Sequence, residues 1–359
     1  MMVTCHTPGK MILLGEYAVL DGAPALVTAV DKYAKVSIQE AENGHWSVSA
    51  PTLHISRVGF STDAGRISFE AGIDSEHRIQ LQFFKKAVET SFADLEGTLP
   101  PANIRLDTDD FYANDGRKYG FGGSAALTVA LVSALAVYSG AKPLPSENSL
   151  FSRAYRSHSE AQGKFGSGID IATSIYGGII EYTRAEPANK TAPISMDLPE
   201  NFYILPVWTG KSASTSRILK RLENYRVERA KDYRRIFKNL NAISRDGCRA
   251  FHHQDIQRFF TDVDKFYHSM ERLGELIDIP VVSAEHKAIY HLVRDTGGYY
   301  KPSGAGNGDI GIAFTDSKTI MQDIKTSIID SNFTLPGARI SHQGVHVSNN
   351  ESTVAKEVH

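Results

Sequence analysis

The sequence predicts an α+β protein in two parts, because segments typical of strands and of helices are grouped rather than regularly alternating. A chain of 359 residues is long for a single hydrophobic core, so we expect two domains, residues 1–190 and 191–359. One glycine-rich segment leads directly into an apolar helix in the first part. A second glycine-rich turn precedes a strand in the second part.

In the first part, runs of apolar and β-branched residues predict strands, and apolar residues at helical spacing predict helices. Ser146 is a candidate N-cap for one of these helices. The expected strands are 11–14, 25–30, 34–39, 104–107 and 179–182. The expected helices are 79–92, the helical part of 118–138, 146–161 and 169–176.

In the second part, the same patterns predict fewer strands and longer helices. The polar segment 187–201 contains proline and is expected to link the two halves. The polar tail 348–359 is expected to fray. The expected strands are 202–207 and 310–314, and the expected helices are 215–243, 255–276 and 284–293.

The composition is that of an ordinary globular protein and excludes several functional classes. Hydrophobic residues make up 42% of the chain, and 39 basic against 41 acidic residues leave a net charge of −2. This balance argues against a nucleic-acid partner. Cys5 and Cys248 are too few for a disulfide framework. The apolar stretch 125–138 is too short to span a bilayer, and Lys10 and Glu16 interrupt any signal-peptide pattern. We therefore expect a cytoplasmic protein without a membrane partner.

The most informative segment is Arg-Lys-Tyr-Gly-Phe-Gly-Gly-Ser-Ala-Ala at 117–126, which runs straight into an apolar helix. Glycine permits positive φ and a close approach of the backbone to a ligand. The first amides of a helix lack intrahelical partners, and the helix dipole makes that end positive. The segment therefore predicts an anion site that suits phosphate, to which Ser124 adds a hydroxyl for phosphate or Mg²⁺.

Two common phosphate loops do not explain this segment. The chain contains no Walker A sequence. The pattern Gly120-x-Gly122-x-x-Ala125 matches the dinucleotide fingerprint loosely, but polar, turn-like residues precede it instead of a buried strand. Taken alone, the segment is also compatible with a plain glycine-rich turn before a core helix.

Three separated motifs resemble, in the same order, the three motifs of the GHMP small-molecule kinases. They are TPGKMILLGEYAVL at 7–20, KYGFGGSAA at 118–126 and KPSGAGNGDIGIA at 301–313. The resemblance spans almost the whole chain. Segments 161–172 and 208–216 are most similar to those of family members that phosphorylate 5-phosphomevalonate.

The resemblance implies a two-domain fold and a phosphotransfer reaction. The N-terminal domain would be ribosomal protein S5 domain 2-like, the C-terminal domain ferredoxin-like, and the active site would lie in the cleft between them. The implied reaction uses ATP and Mg²⁺ to convert 5-phosphomevalonate into 5-diphosphomevalonate in the mevalonate pathway of isoprenoid biosynthesis. The enzyme would be a monomer or a homodimer.

The resemblance also assigns roles to individual residues. Lys10 would be the cation at the transferred phosphoryl group, and Asp170 would act as a base or orient Lys10 and the acceptor. Ser124 would bind both the nucleotide and the metal, and Lys118 and Lys164 are further candidates for the acceptor phosphate. The nucleotide-binding residues would be Lys118, Gly120, Gly122, Gly123, Ser124, Ala125, Gly304, Ala305 and Gly306. The substrate-binding residues would be Ser167, Ser214, Thr215 and Ser216.

Each assignment has a simpler structural alternative. Asp170 is also what a helix start favours, and Lys10 could be a solvated strand lysine. Ser124 could cap its helix locally, and Ser214, Thr215 and Ser216 could form an ordinary N-cap cluster.

Three positions depart from the family pattern. Gly123 replaces the first of two serines in the second motif, so Ser124 is the remaining hydroxyl there. Asn307 and Ile310 depart from the third motif; Asn tolerates the left-handed conformation, and Ile310 suits a buried strand. The acceptor therefore stays open: mevalonate or another small molecule is the alternative. A non-catalytic binding or regulatory protein is a further alternative, against which the retention of Lys10, Ser124 and Asp170 argues.

Overall fold

The computed structural model has a mixed architecture of two sheets and surrounding helices, which confirms the predicted α+β class. The larger sheet has nine strands and the smaller sheet has three among the residues that the structure describes. Those residues are 2–63, 65–94, 99–141, 143–163, 166–184 and 192–348.

The larger sheet is organised around two long antiparallel strands, β1 (Met2–Leu14) and β2 (Ala25–Glu40). The two strands predicted at 25–30 and 34–39 are one continuous strand. A register shift between Pro8 and Gly9 of β1 absorbs the residues between them. The unpaired residues, 31 and 32, lie on β2, and such a bulge bends the strand that carries it. Lys10 pairs with Ala29 just beyond this irregularity.

The remaining strands extend this sheet on both sides. The order is β12-β1-β2-β6-β3-β4-β5, while β7 pairs with β2 and β8 pairs with β7. The pair β3 and β6 is parallel, and the other pairs in this sheet are antiparallel. The bounds are β3 (Trp46–Ala50), β4 (Ile55–Asp63), β5 (Arg66–Phe69), β6 (Ala102–Asp107), β7 (Ile179–Tyr182), β8 (Ile194–Met196) and β12 (His346–Ser348).

Helix α3 (Gly123–Tyr138) is the central helix of the first part. It packs on β1 and β2, and three further helices surround it, so it is apolar on nearly every face. The surrounding helices are α2 (Gln82–Ala93), α4 (Glu147–Ala161) and α5 (Ile169–Tyr176). The predicted N-cap Ser146 accepts a bond from the Ser149 amide, which confirms that assignment.

The prediction of one continuous helix over 79–92 is wrong. The structure has α1 (Ser75–Gln80), capped by Asp74, and then α2. Leu81 separates the two helices, and its side chain is buried. The backbone of Leu81, at φ −84° and ψ 8°, departs from helical values, and periodicity alone does not reveal this break.

The second part contains the small antiparallel sheet, in the order β10-β11-β9. The prediction of one helix over 215–243 is wrong, because Arg229, with non-helical φ −131° and ψ 46°, divides it into α6 and α7. No described helix is long and apolar enough to cross a membrane. The strands are β9 (Tyr203–Trp208), β10 (Tyr299–Pro302) and β11 (Ile310–Thr315). The helices are α6 (Thr215–Glu228), α7 (Ala230–His252), α8 (Ile256–Ile277), α9 (Ala284–Asp295) and α10 (Lys318–Asp330).

The division into domains 1–190 and 191–359 stays a prediction. The larger sheet includes strands from both sides of this boundary. Strands β8 and β12 follow that boundary in the chain and yet belong to the larger sheet. Residues 185–191 of the predicted linker and 349–359 of the predicted tail lie outside the described residues.

A buried ion pair joins the end of β1 to β10. The side chains of Glu16 and Lys301 are 2% and 0% exposed. Lys301 Nζ donates to Glu16 Oε1, to Ile12 O at 3.3 Å and to Pro302 O at 2.7 Å. Burial raises the pKa of Glu16 and lowers that of Lys301, while the opposite charge of each partner counteracts the shift. The amide of Gly304 also donates to Glu16 Oε1, at 3.3 Å.

We expect Lys301→Met to lower the free energy of unfolding by about 3–5 kcal/mol, because Glu16 then keeps a buried charge without its cation. Urea denaturation followed by circular dichroism measures this loss. The double variant Glu16→Gln/Lys301→Met removes both charges and should recover most of the lost stability. A Lys301→Met protein as stable as the parent would contradict the assignment.

Candidate active site

The glycine-rich turns of the two parts open onto one cavity of about 520 Å³. Its lining includes residues of β1, of the segment before α3 and of α5. The turn after β10 and residues around the start of α6 also line it. The predicted site residues that line it are Lys10, Lys118, Gly120, Gly122, Gly123, Ser124, Ser167, Asp170, Thr215, Gly304 and Ala305.

Lys10 and Asp170 lie together in the lining of this cavity. Lys10 Nζ is 3.6 Å from Asp170 Oδ1, and the two side chains are 7% and 33% exposed. The backbone amide of Lys10 donates to Phe121 O at 2.8 Å, which attaches β1 to the glycine-rich segment. Asp170 lies in the first turn of α5, after Gly168 at the N-cap. A nearly buried ammonium group and a partly hydrated carboxylate therefore face the cavity as a pair.

Two glycines before α3 allow this close packing. Gly122 is the N-cap of α3 at φ 77°, and a Cβ there would lie 3.1 Å from Lys10 Cε and 3.6 Å from Asp170 Oδ2. Gly120 has φ 102°, and a Cβ there would lie 2.4 Å from the Cβ of Asp309. Since Gly122 has no side chain to cap α3, the first amides of the helix remain available to an anion.

Ser124 makes a contact that the sequence did not indicate. Its Oγ is 3.2 Å from His158 Nε2, a side chain of α4. The imidazole stacks on Phe83 with ring centroids 5.0 Å apart. Burial lowers the pKa of His158 to about 4, although the charge of Asp170 acts in the opposite direction. The imidazole is therefore neutral at neutral pH.

The second glycine turn approaches the pair from the other side. A Cβ at Gly304 would lie 3.6 Å from Lys10 Nζ, and Tyr17 OH donates to Ala305 O. Asn307 has φ 63°, which confirms that asparagine accommodates the left-handed turn. Gly306 packs away from the cavity, since a Cβ there would lie 2.3 Å from Val281 O.

Asp309 follows this turn and also lines the cavity. Its φ is 58°, its amide donates to Lys211 O at 2.7 Å, and its Oδ1 accepts from the Ala213 amide at 2.9 Å. Burial raises the pKa of Asp309 to about 6. The hydrogen bond from the Ala213 amide and the charges of Lys10 and Lys118 act in the opposite direction. The next residue, Ile310, is fully buried in β11, as predicted.

Several predicted site residues lie away from the cavity lining. Ala125 and Gly306 are buried, while Ser214 and Ser216 are exposed at the start of α6, with their hydroxyl oxygens 3.4 Å apart. Lys164 lies outside the described residues. Among the residues that are described, no group of three or more His, Cys, Asp or Glu side chains could hold a metal ion.

His158 and Asp309 are the candidate residues that sequence reasoning missed. Asp309 could have been found, because a carboxylate directly after a glycine-rich turn stands out in the third motif. His158 had no comparable signal, because its position on α4 does not reveal that α4 packs beside Ser124.

We expect Asp309→Asn to stabilise the protein above pH 6. The folded-state pKa of about 6 exceeds the ordinary value of 3.8, so the native state loses stability as pH rises through this range and Asp309 ionises. Asparagine keeps the acceptor for the Ala213 amide and tolerates positive φ. The gain should be about 1–3 kcal/mol at pH 7.5 and vanish below pH 4. Urea denaturation at both pH values measures it; an equal effect at both would exclude a charge origin.

A family model described as GHMP kinases N terminal domain matches residues 82–178. This segment contains α3, α4 and α5, and hence Ser124, His158 and Asp170.

Relatives and a solved structure agree with this match over most of the chain. The phosphomevalonate kinase of Streptomyces sp. strain CL190 is 29% identical, covering 87% of this chain and 90% of that protein. The mevalonate kinase of Thermococcus gammatolerans is 25% identical, covering 97% and 98%. The structure of Streptococcus pneumoniae phosphomevalonate kinase in complex with phosphomevalonate and AMPPNP is 17% identical, covers 94% of this chain and 99% of that one, and has a TM-score of 0.73.

The structural likeness supports the two-domain α+β fold that the resemblance implied. The family model, the relatives and the three motifs around one cavity lead to the same conclusion. The chain is a small-molecule kinase, and its residues 82–178 match the N-terminal domain of the GHMP kinases.

Proposed function

We propose that this protein is a phosphomevalonate kinase, which transfers the γ-phosphoryl group of ATP to 5-phosphomevalonate and releases 5-diphosphomevalonate and ADP. The observation that carries the proposal is the Lys10–Asp170 pair between two glycine-rich turns in one cavity. The Streptomyces phosphomevalonate kinase, which matches most of the chain, supports the choice of acceptor. The division into domains 1–190 and 191–359 and a cytoplasmic location belong to the same proposal.

The ATP phosphates would bind at the N-terminus of α3. Gly120, Gly122 and Gly123 leave the backbone accessible there, and Gly304 would close the site from the opposite turn. Ser124 would be the protein ligand of Mg²⁺. Magnesium takes most of its ligands from water and phosphate, so a site with a single hydroxyl is compatible with it. When bound, Mg²⁺ neutralises charge on the β- and γ-phosphates.

Lys10 would stabilise the negative charge on the transferred phosphoryl group. Its side chain is 7% exposed, so its charge acts through a medium with less screening than bulk water. Asp170 would hold the ammonium group in place and accept the residual proton of a monoanionic acceptor. Because the acceptor is already a phosphate oxygen, positioning and charge neutralisation carry most of the catalysis.

The acceptor would lie between Ser167 and the start of α6. Both Ser167 and Thr215 line the cavity, and the N-terminus of α6 favours an anion. Lys118 lines the same cavity, with Nζ 5.8 Å from the centre of the Tyr112 ring. Ser214 and Ser216 are exposed beside this position and would reach the acceptor phosphate only from the rim.

Mevalonate is the second candidate acceptor. The mevalonate kinase of Thermococcus gammatolerans matches nearly the full length of this chain, at 25% identity. An alcohol acceptor must lose its proton during transfer, so Asp170 would then act mainly as a base.

We expect the purified protein to release ADP from MgATP when 5-phosphomevalonate is added, and to release far less with mevalonate. A coupled ADP-release assay measures both rates, and phosphorus NMR identifies the diphosphate product. A reaction without acceptor is the control. Turnover of mevalonate without turnover of 5-phosphomevalonate would overturn the proposed acceptor.

Substitution of the central pair should abolish most of the turnover without unfolding the protein. Asp170→Asn should lower kcat by roughly 10²–10⁴-fold, and Lys10→Met by on the order of 10²–10³-fold. Thermal melting checks the fold of each variant. Lys35→Met is the matched control, because Lys35 is a strand lysine that does not line the cavity. Full activity of either the Asp170→Asn or the Lys10→Met variant would contradict the proposed mechanism.

A further inference from the structure

The first turn of α3 carries one hydroxyl, and a side chain at the neighbouring Gly123 would crowd a buried ring. A Cβ at Gly123 would lie 3.0 Å from two ring atoms of Phe111, and Phe111 is 3% exposed. A serine at 123 would therefore press against a buried ring. Ser124 therefore supplies the hydroxyl of this turn that can bind a nucleotide phosphate or a metal ion.

The hydroxyl of Ser124 is held from outside its own helix. Within the described part of the chain, its one side-chain hydrogen-bond partner is His158, whose Nε2 lies 3.2 Å away. Stacking on Phe83 fixes the plane of the imidazole, and α4, which carries His158, packs against both α2 and α3. The backbone carbonyl of Ser124 is separately bonded to the Thr128 hydroxyl at 2.8 Å.

A serine hydroxyl has one proton to donate and two lone pairs to offer. With its proton on Nδ1, the imidazole would accept at Nε2, which lies 3.2 Å from Ser124 Oγ, and the serine proton would turn toward the histidine. Both lone pairs of Ser124 then face away from His158. A hydroxyl proton directed at a bound cation would instead oppose coordination.

We propose that His158 is a positioning residue that accepts the Ser124 hydroxyl proton and so presents the Ser124 oxygen to the divalent cation of the bound nucleotide. The inference rests on the proposed nucleotide site and adds a residue that acts through Ser124. His158 itself touches neither the metal nor the transferred phosphoryl group.

The test compares ADP binding with Mg²⁺ and without it, by titration calorimetry. His158→Phe keeps a ring against Phe83 and removes the acceptor. It should weaken MgADP binding by about 3- to 10-fold, the worth of one hydrogen bond, and leave ADP binding in EDTA unchanged. His158→Gln retains an acceptor at the same reach and should recover most of the affinity.

A double-mutant cycle separates positioning from a general structural effect. In the Ser124→Ala background, His158→Phe should cause no further loss of MgADP affinity, because the group through which His158 acts is gone. Ser157→Ala is the matched control on α4, since its hydroxyl donates to Arg153 O within that helix, at 3.0 Å. Additive losses, or equal losses with and without Mg²⁺, would overturn the inference.

Thermal melting accompanies every variant. If His158→Phe does not fold, His158→Leu makes the same comparison with a smaller side chain. Binding by the parent protein keeps the two proposals apart. If the parent does not bind MgADP, the proposed function fails as well. If it binds and the cycle shows no coupling between positions 124 and 158, the inference alone fails.

Discussion

The buried pair of Glu16 and Lys301 is the constraint on which the site depends. Two charges withdrawn from water are tolerated only if their geometry is held and their remaining hydrogen-bonding capacity is used. Lys301 meets this condition by donating to two backbone carbonyls as well as to Glu16. Because Glu16 also accepts from the Gly304 amide, the second glycine turn is attached to the end of β1. Lys10, on the same strand, therefore has that turn beside its ammonium group.

The glycines before α3 have a structural role as well as a proposed role in binding. Gly122 lets Lys10 and Asp170 approach the helix start, and Gly120 makes room for Asp309. A side chain at either position would separate the charged groups from the helix N-terminus. The same backbone that would accept an anion thus also lets cationic and acidic groups pack around it. Positive charge from Lys10 and from the helix dipole is concentrated at one point of the cavity wall.

Local sequence patterns predicted the elements whose boundaries depend on nearby residues. The N-cap at Ser146, the left-handed Asn307 and the buried Ile310 follow from side-chain chemistry within a few positions. The predictions were wrong where packing interrupts a periodic pattern, at Leu81 and at Arg229. The short strands of the larger sheet, such as β5 and β12, had no signal of their own, because pairing with distant strands defines them.

The sequence by itself predicted the phosphate-loop character of 117–126 and the candidate Ser124, from residue type and short spacing. Its resemblance to the GHMP kinase motifs added Lys10 and Asp170 as candidates. Only the tertiary structure decided what surrounds them. His158 is 34 positions from Ser124, and Lys301 is 285 positions from Glu16. Contacts of this separation depend on how helices and strands pack, and the same packing shields His158 and Asp309 from water and so sets their charge.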